Sequence, residues 1–196
     1  MNVAIIKYNA GNLYSVEYAL RRLGIEPVIT YDKELLQKAD KVIFPGQGEA
    51  TQTMQYLKEH RLDELIVDLK QPVLGICIGM HLLCKFSEEG NVDCLGIFDA
   101  PVLKFKPEKQ TDKIPHIGWN SLANLKSPLY TGLTEEEYVY FVHSYYVPLN
   151  GCTVAQTEYI QSFSASMQKD NFYAVQFHPE KSGATGEKII RNFIEL

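Results

Sequence analysis

The sequence predicts an α/β protein of three layers, with a mixed, mainly parallel sheet and helices on both of its faces. Two observations predict this fold class. In the first half, short apolar runs alternate with segments whose apolar residues recur at helical spacing, as in parallel strands joined by crossover helices. In the second half, strand-like runs follow one another closely, which favours antiparallel pairing.

Four predicted strands and the helices between them make up the first half. The first strand is a continuous apolar run, which is typical of a strand buried on both faces. The first helix is predicted by Leu13, Val16 and Leu20, and Gly24 marks its end. The predicted strands cover residues 3–6, 27–30, 42–44 and 73–76; the later helices cover 35–38, 50–57, 62–69 and a segment marked by Met80, Leu83 and Cys84.

The second half is predicted to consist mainly of hairpins. A polar loop is expected over residues 108–113, and a closing helix is indicated by the apolar spacing of residues 185–194. The predicted strands cover residues 117–119, 138–142, 145–149, 153–156, 164–167 and 173–177.

The composition indicates one globular domain spanning residues 1–196. Hydrophobic residues make up 45 % of the chain and charged residues 22 %, as in ordinary globular proteins. The net charge of −5 argues against a general nucleic-acid or membrane-surface binder, whose affinity comes from clustered Lys and Arg. No apolar stretch is long enough to span a membrane. The N-terminus has the pattern of a strand and not of a signal peptide, so we expect reduced cysteines and a cytoplasmic protein.

The motif Gly75-Ile76-Cys77-Ile78-Gly79 places a cysteine where a predicted buried strand meets a helix. A nucleophile on such a turn is held out from the sheet edge on a strained backbone. The flanking glycines leave room for the turn and for close packing of the helix. Backbone N–H groups at the start of the helix can hold a thiolate or an oxyanion. The alternative is a buried core cysteine, which is our interpretation of Cys84, Cys94 and Cys152.

His178 is the candidate base for that thiol. It begins the tripeptide His178-Pro179-Glu180, which follows the last predicted strand. Pro179 favours an extended backbone at His178, and residues two apart in an extended segment project to the same side. Glu180 is therefore predicted to bond one ring nitrogen of His178 and to fix the tautomer that faces the thiol. The alternative is a surface histidine in a turn beside a solvated glutamate.

A glycine-rich turn, Pro45-Gly46-Gln47-Gly48, follows the third predicted strand. Its backbone N–H groups could face a developing oxyanion beside Cys77; otherwise it is a plain tight turn. It is not a phosphate-binding loop, because no Lys-Ser or Lys-Thr pair follows it. The sequence has neither a CxxC pair nor an HxxxH pattern, so we expect no metal site and no cofactor.

These three motifs occur together, in an order and at a spacing along the chain that resemble those of the class I (triad) glutamine amidotransferases. The resemblance extends along essentially the whole chain. Four further segments point to one group within the family: Gly11-Asn12-Leu13 and residues 115–120, 141–145 and 176–182. Within the family, the chain is most similar to the glutaminase subunits that supply ammonia to a (β/α)8-barrel cyclase. That cyclase makes imidazole glycerol phosphate in histidine biosynthesis.

The resemblance implies a role for each candidate residue. Cys77 would attack the carboxamide of L-glutamine and form a glutamyl thioester. His178 would take the thiol proton and give it to the departing ammonia, while Glu180 orients His178. Backbone N–H groups near Gln47 and Ile78 would form the oxyanion hole. The other residues expected beside the substrate are Gly46, Gly48, His81, His143, Ser144 and Tyr145.

The resemblance also implies a heterodimer with the cyclase. Ammonia in bulk water at neutral pH is mostly ammonium, which is not nucleophilic, so a useful donor docks against its consumer and excludes water. We expect Asn12, Trp119, Tyr140 and Lys181 near this interface. Core packing is the alternative for Trp119 and Tyr140. No nucleic acid and no membrane is expected as a partner.

Three places depart from the family's usual pattern. His81 stands where the family usually has a glutamine beside the substrate. This change predicts weaker glutamine binding with extra pH dependence between about pH 5.5 and 7.5, unless His81 is a helix residue that points elsewhere. Residues 7–12 and the segment Gln47-Gly48-Glu49 also differ from the family's usual residues. Together the three departures raise the alternative that the chain is a divergent paralogue.

Three other functions are therefore weighed against histidine biosynthesis. A paralogous glutaminase subunit would supply ammonia to a different amidotransferase, such as one for surface-sugar modification. A catalytically inactive regulatory module would keep the fold but would not be labelled at Cys77 by a glutamine-analogue electrophile. A free-standing cysteine hydrolase acting on γ-glutamyl peptides would be highly active without any partner.

Overall fold

A computed structural model of the protein describes residues 1–8, 13–46 and 48–196. The strands of this part are β1 (Val3–Ile6), β2 (Val28–Thr30), β3 (Lys41–Phe44), β4 (Val73–Ile76), β5 (Cys84–Ser87), β6 (Val92–Asp93), β7 (Phe98–Lys104), β8 (His116–Ser121), β9 (Tyr138–His143), β10 (Tyr145–Tyr146), β11 (Thr153–Glu158), β12 (Ser162–Lys169) and β13 (Phe172–Val175). Its helices are α1 (Leu13–Arg22), α2 (Lys33–Lys38), α3 (Ala50–Glu59), α4 (Leu62–Asp68), α5 (Ile78–Leu83) and α6 (Gly183–Ile194), with 3₁₀ turns at Pro128–Tyr130 and Pro179–Lys181.

The largest sheet confirms the predicted mixed, mainly parallel topology. Its seven strands lie in the order β11-β12-β13-β4-β3-β1-β2. Neighbours from β13 to β2 are parallel, whereas β11, β12 and β13 pair antiparallel. The parallel strands therefore deliver the segments that follow β3, β4 and β13 to one edge of the sheet, where α/β proteins bind their ligands.

Two apolar clusters lie on the two faces of this sheet. In β1, Ala4 and Ile6 belong to one cluster, while Val3 and Ile5 belong to the other, as expected when successive side chains point to opposite faces. The first cluster includes Leu36, Met54, Leu57, Ile66 and Leu83 from α2 to α5. The second includes Val16, Leu20, Ile189 and Phe193 from α1 and α6. Helices thus cover both faces, which gives the predicted three layers.

A four-stranded sheet in the order β10-β7-β5-β6 is missing from the sequence prediction. Apolar spacing at Leu83 and Cys84 predicts a continuing helix, but Cys84 has an extended backbone and pairs with Phe98. Pro101 lies inside β7 and weakens its strand pattern. The predicted strand 145–149 ends early, because Pro148 cannot donate to a ladder and the Asn150 amide bonds the Pro148 carbonyl instead.

Residues 1–8, 13–46 and 48–196 contain neither a membrane-spanning helix nor a cluster of metal-binding side chains. None of the helices there has the length and apolar character needed to cross a membrane. The same residues include no group of three or more His, Cys, Asp or Glu side chains that could hold a metal ion.

Candidate active site

A cavity of about 370 Å³ lies where the chain leaves β3, β4 and β13. It collects nine of the residues that the sequence predicts for catalysis, the oxyanion hole or substrate binding. These are Gly46, Gly48, Cys77, Ile78, His81, His143, Ser144, Tyr145 and His178. The cavity is large enough for an amino-acid substrate.

Cys77 occupies the turn between β4 and α5 with φ 51° and ψ −107°. This is a strained backbone conformation for a residue with a side chain. The turn is fixed by a hydrogen bond of 2.8 Å from the Cys77 N–H to the carbonyl oxygen of Val175 in β13. The thiol is half-buried and faces the cavity, so the alternative of a core cysteine does not describe Cys77.

The glycines around Cys77 allow the backbones to approach closely, as predicted. A Cβ atom added to Gly79 would lie 2.2 Å from the carbonyl oxygen of Phe44, at the end of β3. A Cβ atom on Gly46 would lie 2.0 Å from the carbonyl oxygen of Ile76 and 2.6 Å from the Ile78 nitrogen. Because no side chain fits at either position, the turn after β3 packs directly on the turn that carries Cys77.

His178 is held through its backbone N–H, its carbonyl oxygen and one ring nitrogen. Its backbone is extended, as Pro179 predicts, and its N–H donates to the Tyr140 carbonyl at 2.9 Å. The Ser182 hydroxyl donates to the His178 carbonyl at 2.6 Å and accepts from the Tyr140 N–H at 2.9 Å. Nδ1 of the ring lies 2.7 Å from Oε1 of Glu180, which is the contact predicted from the tripeptide.

The charge state of His178 is set by its two neighbours. Burial lowers the pKa of His178, but the neighbouring Cys77 sulfur and the Glu180 carboxylate raise it, and the pKa settles at about 10. At neutral pH the ring is therefore an imidazolium between a carboxylate and a sulfur atom. A histidine in this form can donate a proton to a leaving group in the adjacent cavity.

His81 reaches the cavity, but its ring is also engaged elsewhere. Its Nε2 lies 2.7 Å from Oε1 of Gln176, and its buried Nδ1 has no hydrogen-bond partner among the described residues. Burial lowers the pKa of His81 to about 4, although the bond to Gln176 opposes this. The prediction of a charge change between about pH 5.5 and 7.5 is therefore wrong, because the ring is neutral throughout that range.

A pair of neutral histidines supports the wall formed by Ser144 and Tyr145. His143 bonds the Tyr145 carbonyl through Nδ1 at 2.7 Å, so Nδ1 is the donor and Nε2 is an acceptor. Nε2 in turn lies 3.0 Å from Nδ1 of His116, which fixes the tautomer of His116 as well. Burial lowers the pKa of both rings, that of His116 to about 4. His116 is also stacked against Phe141 and Tyr159.

Sequence reasoning missed four residues of the site. Glu89, Pro115 and Val142 line the cavity, and Gln176 lies behind Cys77. Among the described lining residues, Glu89 is the one with a carboxylate, and it also accepts from the Ala50 N–H at 3.3 Å. Burial is the main cause that raises the pKa of Glu89. The sequence around Glu89 predicts only a polar turn, and a polar turn does not by itself indicate a binding site.

The residues expected at a partner interface lie outside the cavity. The Trp119 side chain is 55 % exposed, so core packing is wrong for this residue. It pairs with half-buried Tyr140 across β8 and β9, with ring centroids 6.0 Å apart. Lys181 is exposed on the turn after His178. Asn12 and Gln47, predicted for the interface and the oxyanion hole, lie outside the described residues.

Two of the unusual residues have local structural roles. Glu49 is the N-cap of α3, and its carboxylate accepts from the N–H groups of Thr51 and Gln52 at 3.0 Å each. Burial opposes ionisation of this group, but these hydrogen bonds lower the pKa of Glu49 overall. The Lys7 ammonium lies over the ring of Tyr31, 5.9 Å from its centroid. Residues 9–12 of the unusual N-terminal motif are outside the described part.

Comparison with known proteins agrees with this geometry. The family model described as "Glutamine amidotransferase class-I" matches residues 4–196. The protein "Imidazole glycerol phosphate synthase subunit HisH" of Bacteroides fragilis is 65 % identical over 196 residues, covering both chains completely. The protein of the same name in Escherichia coli K12 is 46 % identical over 201 residues, again with full coverage of both. A crystal structure of a glutamine amidotransferase has a TM-score of 0.76 at 21 % identity, covering 99 % of this chain and 98 % of the other, and so shares the fold.

Proposed function

The chain belongs to the class-I glutamine amidotransferases, and from this premise we propose that it is the glutaminase subunit of an imidazole glycerol phosphate synthase in histidine biosynthesis. The observation that carries the proposal is the convergence of Cys77 and His178 on one cavity, with Glu180 bonded to the far side of His178. Full-length relatives named as HisH subunits favour this pathway over surface-sugar modification.

The proposed reaction converts L-glutamine and water into glutamate and ammonia. The Cys77 sulfur attacks the carboxamide carbon, and the carbon–nitrogen bond breaks as His178 gives a proton to the leaving ammonia. A glutamyl thioester remains. Water then attacks the thioester carbonyl, His178 accepts a proton from it, and glutamate leaves as the Cys77 sulfur is released. The imidazolium character of resting His178 supports this assignment, because the proton is already on the group that must donate it.

The oxyanion of each tetrahedral intermediate is assigned to backbone N–H groups at Ile78 and Gln47. Ile78 supports this assignment because it is the first residue of α5, where the N–H has no partner within the helix. The other substrate contacts are assigned to Gly46, Gly48, His81, His143, Ser144 and Tyr145. Glu89 is added to them, since its carboxylate suits the α-ammonium group of an amino acid.

A (β/α)8-barrel cyclase is the proposed partner in a heterodimer in the cytoplasm. The exposed face of β8 and β9 supports this docking role, because it presents Ile117, Trp119 and Tyr138 to solvent. The face leads to the cavity through Val142, which pairs with Ile117 and also lines the cavity. Tyr140 and Lys181 lie next to it and Asn12 is assigned to the same interface. Ammonia released at Cys77 would then pass into the partner without entering bulk water.

The test is glutamate formation from glutamine by the chain alone and with the histidine-pathway cyclase and its nucleotide ligand. We expect strong stimulation by the liganded cyclase and loss of activity in Cys77→Ala. A matched Cys152→Ala variant should keep wild-type activity. Unstimulated turnover combined with covalent labelling of Cys77 by a glutamine-analogue electrophile would reject the histidine pathway and favour the surface-sugar partner.

A further inference from the structure

Gln176 connects His81 to the nucleophile. The Gln176 side chain is fully buried directly after β13, and its backbone N–H donates to Ala165 at 2.8 Å. The amide Nε2 lies 3.7 Å from the Cys77 sulfur, within hydrogen-bond range for sulfur, and Oε1 lies 2.7 Å from Nε2 of His81. A chain of two hydrogen bonds thus runs from α5 through the end of β13 to the sulfur.

The direction of this chain follows from the chemistry of its ends. A thiolate accepts hydrogen bonds and does not donate them, so it needs the NH2 group of Gln176 and not the carbonyl oxygen. The carbonyl oxygen must then face His81 and accept a proton from it. Neutral histidine has one N–H, and the 2.7 Å contact to Oε1 places this N–H on Nε2. Both hydrogen bonds of this chain therefore point toward the sulfur.

We propose that Gln176 is a positioning residue that donates an amide N–H to the Cys77 sulfur and stabilises its thiolate, and that His81 locks the Gln176 amide in this orientation. The proposal rests on the proposed function, since it takes Cys77 as the nucleophile. It also gives His81 a purpose beyond contact with the substrate.

The surroundings of the sulfur leave a role for this donor. Among the described residues, the other hydrogen-bond contact of the sulfur is to the Val142 carbonyl oxygen at 4.0 Å, an acceptor that cannot stabilise a thiolate. The titratable groups that face Cys77 are Tyr8, whose hydroxyl is bonded to the Pro45 carbonyl, His178, and across the cavity His81, His143 and Glu89. Of these titratable groups, His178 supplies positive charge. Gln176, which does not titrate, adds a neutral hydrogen-bond donor directed at the sulfur.

The test is the pH dependence of Cys77 alkylation by iodoacetamide in the full chain, with modification of the Cys77 peptide followed by mass spectrometry. Gln176→Met keeps a similar volume but removes the donor. Loss of one hydrogen bond to a charged acceptor should move the alkylation midpoint up by about 1 pH unit and slow the reaction below the midpoint up to about tenfold. Gln168→Met is the matched control, because Gln168 bonds Ser127 outside the cavity. Its midpoint should equal that of the wild type.

Two variants at His81 separate positioning from packing. His81→Gln retains a side-chain donor for Oε1 of Gln176 and should keep a midpoint near that of the wild type. His81→Leu removes the donor and should raise the midpoint in the same direction as Gln176→Met. An unchanged midpoint in Gln176→Met overturns the proposal. If that variant does not fold, equal midpoints in His81→Leu and His81→Gln overturn it.

This measurement is independent of the proposed function, because alkylation needs neither glutamine nor a cyclase. A shifted midpoint without cyclase-stimulated turnover would reject the histidine pathway and retain the role of Gln176. Stimulated turnover with an unshifted midpoint would support the histidine pathway and overturn the role of Gln176.

Discussion

Oε1 of Glu180 lies 2.7 Å from Nδ1 of His178, and both side chains are almost entirely excluded from solvent. A buried carboxylate costs free energy unless it is paired, and a buried imidazolium has the same requirement. The Glu180 side chain therefore stabilises the imidazolium form of His178. The result is a fixed ring whose Nε2 side is left for Cys77, with the proton already in place at neutral pH.

Replacing Glu180 with Gln should weaken catalysis without removing the substrate cavity. The amide keeps a similar shape but loses the negative charge that favours the imidazolium and the tautomer. We expect kcat for glutamine hydrolysis in the cyclase complex to fall about 10²- to 10⁴-fold, with KM changed by less than about threefold. Glu195→Gln, which removes an exposed carboxylate near the C-terminus, is the control. A kcat equal to that of the control would contradict the role assigned to Glu180.

A methyl group at Gly79 should damage the nucleophile turn. The added Cβ would lie 2.2 Å from the Phe44 carbonyl, so α5 would have to move away from the end of β3. We expect Gly79→Ala to lower the free energy of unfolding by about 1 to 3 kcal/mol and to abolish rapid alkylation of Cys77. Gly151→Ala is the control, since nothing lies within 4 Å of its added Cβ. Urea denaturation of both variants measures the difference; equal midpoints would show that the turn tolerates a side chain.

Much of the parallel half was predictable because its signals are local. Val3–Ile6 and Val73–Ile76 are apolar runs bounded by helical spacing, and the structure has strands with the same limits. The contact between His178 and Glu180 was also predicted, but only part of the predicted backbone is present: His178 is extended, whereas Glu180 lies in the 3₁₀ turn Pro179–Lys181 and not in an extended segment. The four-stranded sheet was not predictable, since Cys84 leaves the helical pattern only when Phe98, distant in the chain, pairs with it.

The residues of the candidate site also differ in how far the local sequence predicts them. Cys77 has an unusual local motif, but Glu89 and Gln176 acquire their positions from distant contacts, with Ala50 and with His81 respectively. The charge state of His81 was predicted wrongly because burial is a tertiary property. An exposed histidine would titrate near neutral pH, whereas this one is 3 % exposed.

Buried His81 should make the fold sensitive to acid. Its pKa is about 4 in the folded protein, against about 6.5 in an unfolded chain. Between these values the unfolded chain binds a proton that the folded protein does not, so the free energy of unfolding falls as the pH decreases from 6.5 to 4. The contribution of His81 to this fall is about 3 kcal/mol. His81→Gln should therefore lose less stability over this range than the wild type.

Urea denaturation of both proteins at several pH values between 4 and 7 measures the effect. His60→Gln, a change at an exposed histidine, is the control and should follow the wild-type curve. Parallel curves for His81→Gln and the wild type would mean that His81 takes up a proton in the folded state as readily as in the unfolded chain.

Trp119 should contribute strongly to binding of the cyclase. Its side chain is 55 % exposed, and its ring meets Tyr140 at an angle of 68° on the face that leads to the cavity. A large exposed aromatic side chain at the centre of an interface commonly supplies more than 1 kcal/mol of binding free energy. We expect Trp119→Ala to raise the Kd for the cyclase at least about tenfold, measured by titration calorimetry.

Cys77 alkylation should stay unchanged, because the Trp119 side chain does not line the cavity. Val67→Ala on α4, where the side chain is 43 % exposed, is the matched control. If the two variants bind the cyclase equally well, the partner docks on a different face and the ammonia leaves the cavity by another route.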